Sequence, residues 1–276
     1  MRHLVNATTL LPDVQSRVDS RNLAIDKVGV TQLPFSFCFA STSDNQALPQ
    51  NTVGSVDLFV SLPPQHKGTH MSRFVQLLRD WEQPLSYVAM REICLLARER
   101  LDARRACGTL RFPYFVNREA PVTGESGQLQ LRITVDVSVG DCEELIVTVS
   151  GPATSLCPCS KEISTYGAHN QRCELTASVK FHADCEIGVE ELFEMMERSA
   201  SNAVYPTLKR VDEKHVTEAA YDNPKFVEDI VRDMAQTLKA DSRIAWFRCG
   251  SENFESIHQH NAFAQIEWPE SRKDAW

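Results

Sequence analysis

Between Gln128 and Val139 every second residue is apolar. Leu129, Leu131, Ile133, Val135, Val137 and Val139 alternate with Gln130, Arg132, Thr134, Asp136 and Ser138. A period of two sustained over this length fits an extended chain with one face against a core, because a helix would scatter the same residues around its circumference. Such a strand requires paired neighbours and a cover for its apolar face. Gly140-Asp141 reads as a turn, and segment 143–150 as the antiparallel partner.

Further strands are predicted at 55–62, closed by Pro63-Pro64, and at 108–117. A helix is predicted from Ser72, and another after Pro84 carries Leu85, Val88, Ile93, Leu96, Ala97 and Leu101 at helical spacing. The order then recurs. A strand at 174–182 precedes a helix from Val189 through Met196 and a second helix opened by Asn223-Pro224. There Asn suits the N-cap and Pro the first helical position. Strands at 243–249 and 261–267 complete the unit.

Two units of antiparallel strands with helices on one face make an α+β plan rather than alternating βαβ. The bimodular domain is expected over 51–268, with a first module at about 51–150 and a second at about 174–268. Residues 1–50 are polar and aperiodic and read as an arm or linker; 269–276 read as a tail. The polar strand faces, such as Gln130, Arg132 and Thr134, face either solvent or the lumen of an oligomeric barrel.

Several classes are excluded. No apolar run approaches the ~20 residues of a membrane-spanning helix. Asn6, Asp13, Arg17 and Asp19 interrupt the first 25 residues, so a signal-peptide core is missing. A soluble cytoplasmic protein is expected. Lys and Arg number 29 against 37 Asp and Glu, a net charge of −8, which argues against nucleic acid as partner but leaves room for one anionic small molecule. No glycine-rich phosphate loop is present. Nine cysteines without a secretory signal suggest mostly buried thiols rather than a disulfide framework.

The chemistry collects in Cys157-Pro158-Cys159-Ser160-Lys161-Glu162-Ile163-Ser164 and in Gly167-Ala168-His169-Asn170-Gln171-Arg172. Two thiols and an imidazole are ligands that zinc accepts, although buried thiols beside a turn with a surface histidine fit the spacing equally. A second cluster, Glu255-Ser256-Ile257-His258-Gln259-His260, would place His258 and His260 on one face if extended. A pair of solvated histidines is the alternative there.

These runs, together with HKGTHMSRF (66–74) and NPKFVEDIVRD (223–233), closely resemble the prokaryotic type IB GTP cyclohydrolase I family, in the same order and over most of the chain, from Asp26 to Trp268. The resemblance implies a tunnelling fold whose subunits assemble into a barrel, expected as a homotetramer with active sites at subunit interfaces. It implies conversion of GTP and water to 7,8-dihydroneopterin triphosphate and formate, the entry to tetrahydrofolate. A non-catalytic metal- or purine-binding module of the same fold is the alternative.

Position by position, the resemblance makes Cys157 a metal ligand or otherwise essential residue, with Cys159 beside it. His169 becomes a ligand or proton-transfer group, and Glu213, Glu255 and His258 ligands of one divalent ion. Zn, Mn or Fe(II) suits such a mixed donor set. The resemblance also makes Glu228, which helical geometry alone would put on a solvated face, the expected anchor of the purine: a carboxylate accepts two parallel hydrogen bonds from the N1–H and 2-amino edge of guanine. Lys67, His70 and Arg73 are candidates for the triphosphate, as are Lys161, Arg172, Lys209, Arg210 and Lys214. The chemistry asks for this equipment: water must add at C8, and a divalent ion lowers the pKa of its water towards ~7.

Overall fold

The computed structural model describes residues 13–15, 17–41 and 49–269. Its strands are β1 (Ile25–Phe39), β2 (Gln50–Leu62), β3 (Ala106–Glu119), β4 (Ser126–Val139), β5 (Glu144–Leu156), β6 (Asn170–Phe181), β7 (Asn202–Ala203), β8 (Ile244–Asn253) and β9 (Ala262–Trp268). Its helices are α1 (Met71–Arg79), α2 (Tyr87–Arg100), α3 (Pro158–Ile163), α4 (Val189–Glu197), α5 (Arg210–Asp222) and α6 (Val227–Ala240). The strands form one antiparallel sheet in the order β1-β2-β3-β4-β5-β6-β8-β9, with β7 beside β5. The six alternating apolar residues of β4 are all buried.

The two expected modules merge at β5. Its first half pairs with β4 (Ser138↔Glu144 to Arg132↔Ser150) and its second half with β6 (Val147↔Val179 to Leu156↔Asn170). Helices α1, α2, α4 and α6 cover one face and share one core with both modules. Tyr87 of α2 stacks on Phe181 of β6 at 6.2 Å. Glu190 of α4 accepts hydrogen bonds from the Tyr114 hydroxyl of β3 and, at 2.9 Å, from Ser41 Oγ. These contacts cross between the modules and fix their relative position.

Gly151 marks the closest approach of β5 to its cover. A Cβ there would lie 2.3 Å from Phe193 Cε2 and 2.6 Å from Leu131 Cδ2, and both of those side chains are buried. Gly151→Ala is therefore expected to destabilise the chain by about 1–3 kcal/mol. Denaturant titration of the two proteins checks this; an unchanged midpoint would show that the core yields there.

Among the described residues the other sheet face is polar. Arg111 pairs with Asp57 at 2.8 Å, Thr109 donates to Asp136 at 2.6 Å, Thr148 meets Ser178 at 2.8 Å and Ser150 meets Thr176 at 2.9 Å. Arg248 pairs with Glu267 at 2.9 Å and Arg132 with Glu174. Paired charges and hydroxyls satisfy one another across the strands.

Residues 25–39, read as part of an arm, form β1. Its register on β2 shifts between Ile25 and Val28 and again between Val30 and Leu33, and Gln32 has φ +53. Each bulge breaks the period of two that would have revealed the strand. Of the rest of the expected arm, residues 1–12, 16 and 42–48 lie outside the described residues, as does all of the tail beyond 269.

Helix α5 was not anticipated, because it buries little: among its residues only Asp212 and Ala220 are fully enclosed. Asn223 is not the N-cap of α6 but ends α5, its amide donating to the carbonyls of Ala200 and Ser201 at 3.0 and 3.1 Å. Helix α6 starts three residues after Pro224, with the Phe226 N–H donating to Asp229 Oδ2 at 3.1 Å. The nine thiols are less enclosed than expected: Cys94, Cys173 and Cys249 are buried, Cys142 and Cys159 exposed, and the rest half-buried.

Candidate functional site

The inward positions of three neighbouring strands turn from apolar to polar at one end of the sheet. Along β5 the series Val147, Val149, Gly151, Ala153 ends in Ser155. Along β6 the series Val179, Ala177, Leu175, Cys173 ends in Gln171, and β8 finishes with Ser251 and Asn253. Buried polar groups need partners, and these find one another. Gln171 Nε2 donates to Ser155 Oγ at 3.2 Å, Asn253 Nδ2 donates to the same oxygen at 2.9 Å, and Ser251 Oγ donates to Asn253 Oδ1 at 3.0 Å. The sequence reading missed this network, whose signal was polar residues at core-facing positions of otherwise apolar strands.

The motif-bearing segments radiate from it. Cys157 follows β5 and caps α3, its Sγ accepting from the Ser160 N–H at 3.4 Å. The Cys157 N–H donates to the His169 carbonyl at 3.1 Å, and the His169 N–H to Ser160 Oγ at 3.2 Å. The His169 ring places Nδ1 3.0 Å from Gln171 Oε1 and 3.4 Å from Ser256 Oγ, which belongs to the loop after β8. The Lys225 N–H donates to the Leu156 carbonyl at 3.0 Å, and Ser155 Oγ donates to the Lys225 carbonyl at 3.2 Å. One helical turn later Glu228 projects, exposed, from the first turn of α6. Cys157, His169, the 255–260 loop and the start of α6 thus gather at one corner.

Within this corner Cys157 and His169 are half-buried and Cys159 is exposed on α3. Glu255 Oε2 is buried without a hydrogen-bond partner among the described residues. The 255–260 loop is bent rather than extended, yet His258 and His260 still lie side by side, rings stacked at 5.2 Å and exposed.

Other predicted residues lie apart. Glu213 is exposed on the first turn of α5, eight residues, or about 12 Å of helix, before Tyr221. Lys161 reaches the Tyr221 carbonyl and ring from α3. Lys67, His70 and Arg73 follow β2, whose final residues align with the first of β3 and the last of β4. That is the opposite end of the sheet from Cys157, about 40 Å away by the length of β5 at 3.3 Å per residue. There His70 Nε2 sits 3.3 Å from Asp13, and Arg73 donates to the Arg100 carbonyl at 3.1 Å. Lys209 pairs with Glu125 and Lys214 with Glu218.

Among the described residues no three His, Cys, Asp or Glu side chains lie close enough to hold a metal ion. The donor chemistry at the corner nevertheless suits one: a thiol, an imidazole and a buried carboxylate oxygen that lacks a partner.

Asp212, beside Glu213, has a structural role. Fully buried, it accepts from the Val122 and Thr123 N–H groups at 2.9 Å each, from Thr123 Oγ1 at 2.7 Å and from the Lys209 N–H at 2.9 Å. Burial alone would raise its pKa, but these hydrogen bonds outweigh it and hold the carboxyl well below the usual range. Asp212→Ala is expected to lower Tm by about 10 °C near neutral pH. Because the folded value is depressed, the stabilisation is present above the ordinary carboxylate range and fades as pH falls below about 4. Melting curves should show the two proteins converging on acidification.

One antiparallel sheet with helices on one face is an architecture shared with urate oxidases. A highly active mutant of Bacillus sp. TB-90 urate oxidase matches with a TM-score of 0.50, over 88% of this chain and 99% of that one, at 8% identity. A hyper-thermostable AgUricase mutant also gives 0.50, over 92% and 94%, at 7% identity. At such identities the likeness is one of fold.

Sequence comparison is more specific. The family model described as Type I GTP cyclohydrolase FolE2 matches residues 11–264. The GTP cyclohydrolase FolE2 of Magnetococcus marinus is 46% identical over 263 residues, covering 95% of this chain and 97% of the relative. That of Syntrophobacter fumaroxidans is 45% identical, covering 92% and 98%, and that of Fervidobacterium nodosum 41%, covering 96% and 100%. The chain belongs to the type I GTP cyclohydrolase FolE2 family.

Proposed function

We propose that this chain is a GTP cyclohydrolase converting GTP and water to 7,8-dihydroneopterin triphosphate and formate, the first step of tetrahydrofolate biosynthesis. The observation that carries the reading is family membership over nearly the whole chain, with identities of 41–46%. Convergence of the CPC, AHNQR, NPKF and ESIHQH segments on one corner supports it. The narrower prokaryotic type IB designation rests on motif resemblance alone.

In this reading Glu228 accepts from the N1–H and 2-amino group of guanine and sets C8 towards the corner. Its place in the first turn of α6 complements the helix dipole. The reaction breaks the N9–C8 and C8–N7 bonds, and His169, with Cys159 nearby, moves protons as the ring opens and formate leaves. The proposed metal ligands are Cys157, His258, His169 and Glu255 at this corner, the orphaned oxygen of Glu255 being the clearest sign of a missing partner, with Glu213, which lies apart from the corner on its own chain, supplied by a neighbouring copy. A bound Zn, Mn or Fe(II) supplies Lewis acidity that brings a water within reach of ionisation near neutral pH.

Lys67, His70 and Arg73 are proposed to reach the triphosphate from a neighbouring copy, since their own corner is remote. Exposed apolar side chains around the site, Ile163, Tyr166 and Ile257 at 84, 99 and 65%, fit coverage by a second subunit. A homotetrameric tunnelling-fold barrel, with the polar sheet face lining its lumen and active sites at the interfaces, is the proposed assembly. No described helix is long and apolar enough to cross a membrane, and a cytoplasmic location is proposed.

Metal-stripped protein resupplied with Mn, Fe(II) or Zn should regain formate release and dihydroneopterin triphosphate production from GTP. Tight metal binding with no product under any metal would overturn the enzyme reading in favour of a binding module.

A further inference from the structure

We infer that Gln171 is a positioning residue that fixes His169 as its Nδ1–H tautomer and leaves Nε2 as the basic nitrogen. The chain of hydrogen bonds begins at a carbonyl. The Lys225 backbone oxygen can only accept, so the Ser155 hydroxyl, 3.2 Å away, commits its single proton there. Ser155 Oγ then has only lone pairs for its other partners. The side-chain NH2 groups of Gln171, at 3.2 Å, and of Asn253, at 2.9 Å, must both donate to it. Asn253 agrees on its far side, where Oδ1 accepts from Ser251 Oγ at 3.0 Å.

With its NH2 group committed, Gln171 turns Oε1 to His169 Nδ1, 3.0 Å away. An amide oxygen is an acceptor, so Nδ1 carries the hydrogen. Ser256 Oγ, 3.4 Å from the same nitrogen, is compatible as a second acceptor. Flipping the amide would set its oxygen against a Ser155 oxygen whose proton is already used. Ser155, Gln171 and Asn253 are 1, 8 and 2% exposed, so bulk water cannot relieve that clash. The tautomer of a half-buried imidazole is thereby dictated from a backbone carbonyl in the segment leading into α6.

The catalytic consequence rests on the proposed reaction: an Nε2 lone pair held in place before substrate arrives is ready to take a proton or a metal. The tautomer itself is independent of GTP. Full-length protein labelled with 15N-histidine, with and without added divalent metal and at a pH above the imidazole range, reports it directly, His169→Asn identifying the signal. The expected spectrum shows a protonated Nδ1 and, without metal, an unprotonated pyridine-type Nε2.

Gln171→Leu should release the ring to a mixture of tautomers. Its kcat on GTP should fall by about 10–100-fold, the range seen when partners that orient a ligand are removed, with KM within about twofold. Gln171→Glu, which keeps the acceptor, should recover part of kcat. An Nε2–H tautomer in the unsubstituted protein overturns the inference even if Gln171→Leu fails to fold, and so does a Gln171→Leu protein with unchanged tautomer and kcat. An Nδ1–H spectrum from a chain inactive on GTP would uphold the tautomer and overturn the reaction.

Discussion

Cys157→Ala is expected to reduce formate release from GTP by about 10³-fold or more, equivalent to about 4 kcal/mol of lost transition-state stabilisation. Two roles of this residue must be separated, because its sulfur also caps α3 by accepting from the Ser160 N–H. Loss of a cap costs about 1 kcal/mol of stability and has no reason to stop chemistry. Cys157→Ser separates them, since a hydroxyl caps a helix well but is no soft thiolate donor. The serine protein should therefore melt close to the unsubstituted protein and be nearly as inactive as the alanine one. Kinetics paired with thermal melts decide the matter: substantial turnover by either variant would remove Cys157 from the chemistry.

Glu228→Ala and Glu228→Gln should each lower kcat/KM for GTP by about 10²–10⁴-fold, because a site built to pair with two donors loses far more than one built on contact area. The glutamine case is the more informative. It preserves size and shape, but its NH2 group would face a guanine N–H, replacing an attraction with a donor–donor clash. Since Glu228 is exposed at the start of α6, both variants should fold with stability changes under about 1 kcal/mol. A glutamine variant within twofold of the unsubstituted kcat/KM would show that guanine is read elsewhere.

Elements with a strong period are legible in the amino-acid order alone. Strand β4 lies where alternation puts it, and α2 and α4 begin within a few residues of their predicted starts. Elements without such a period are not: β1 hides its alternation behind two register shifts, and α5 is too polar to betray a buried face. Asn223 shows how a local rule loses to its surroundings. A good N-cap residue before a proline is diverted because its amide satisfies two carbonyls, of Ala200 and Ser201, in the distant turn between α4 and β7.

The site divides in the same way. Motif order, through the family resemblance it carries, marks Cys157, His169, Glu213, Glu228, Glu255 and His258 as expected site residues, whereas residue type and helical spacing alone leave Glu228 on the solvated face of a helix. The sheet register alone decides that Lys67, His70 and Arg73 lie at the far end from them, because antiparallel pairing puts the end of β2 beside the start of β3 and away from the end of β5. Tertiary structure alone also selects Ser155, Gln171, Asn253 and Ser251. Each is an ordinary polar residue in sequence and acquires meaning only where three strand ends bury it against the others, since a hydrogen bond's direction depends on which partner has already used its proton.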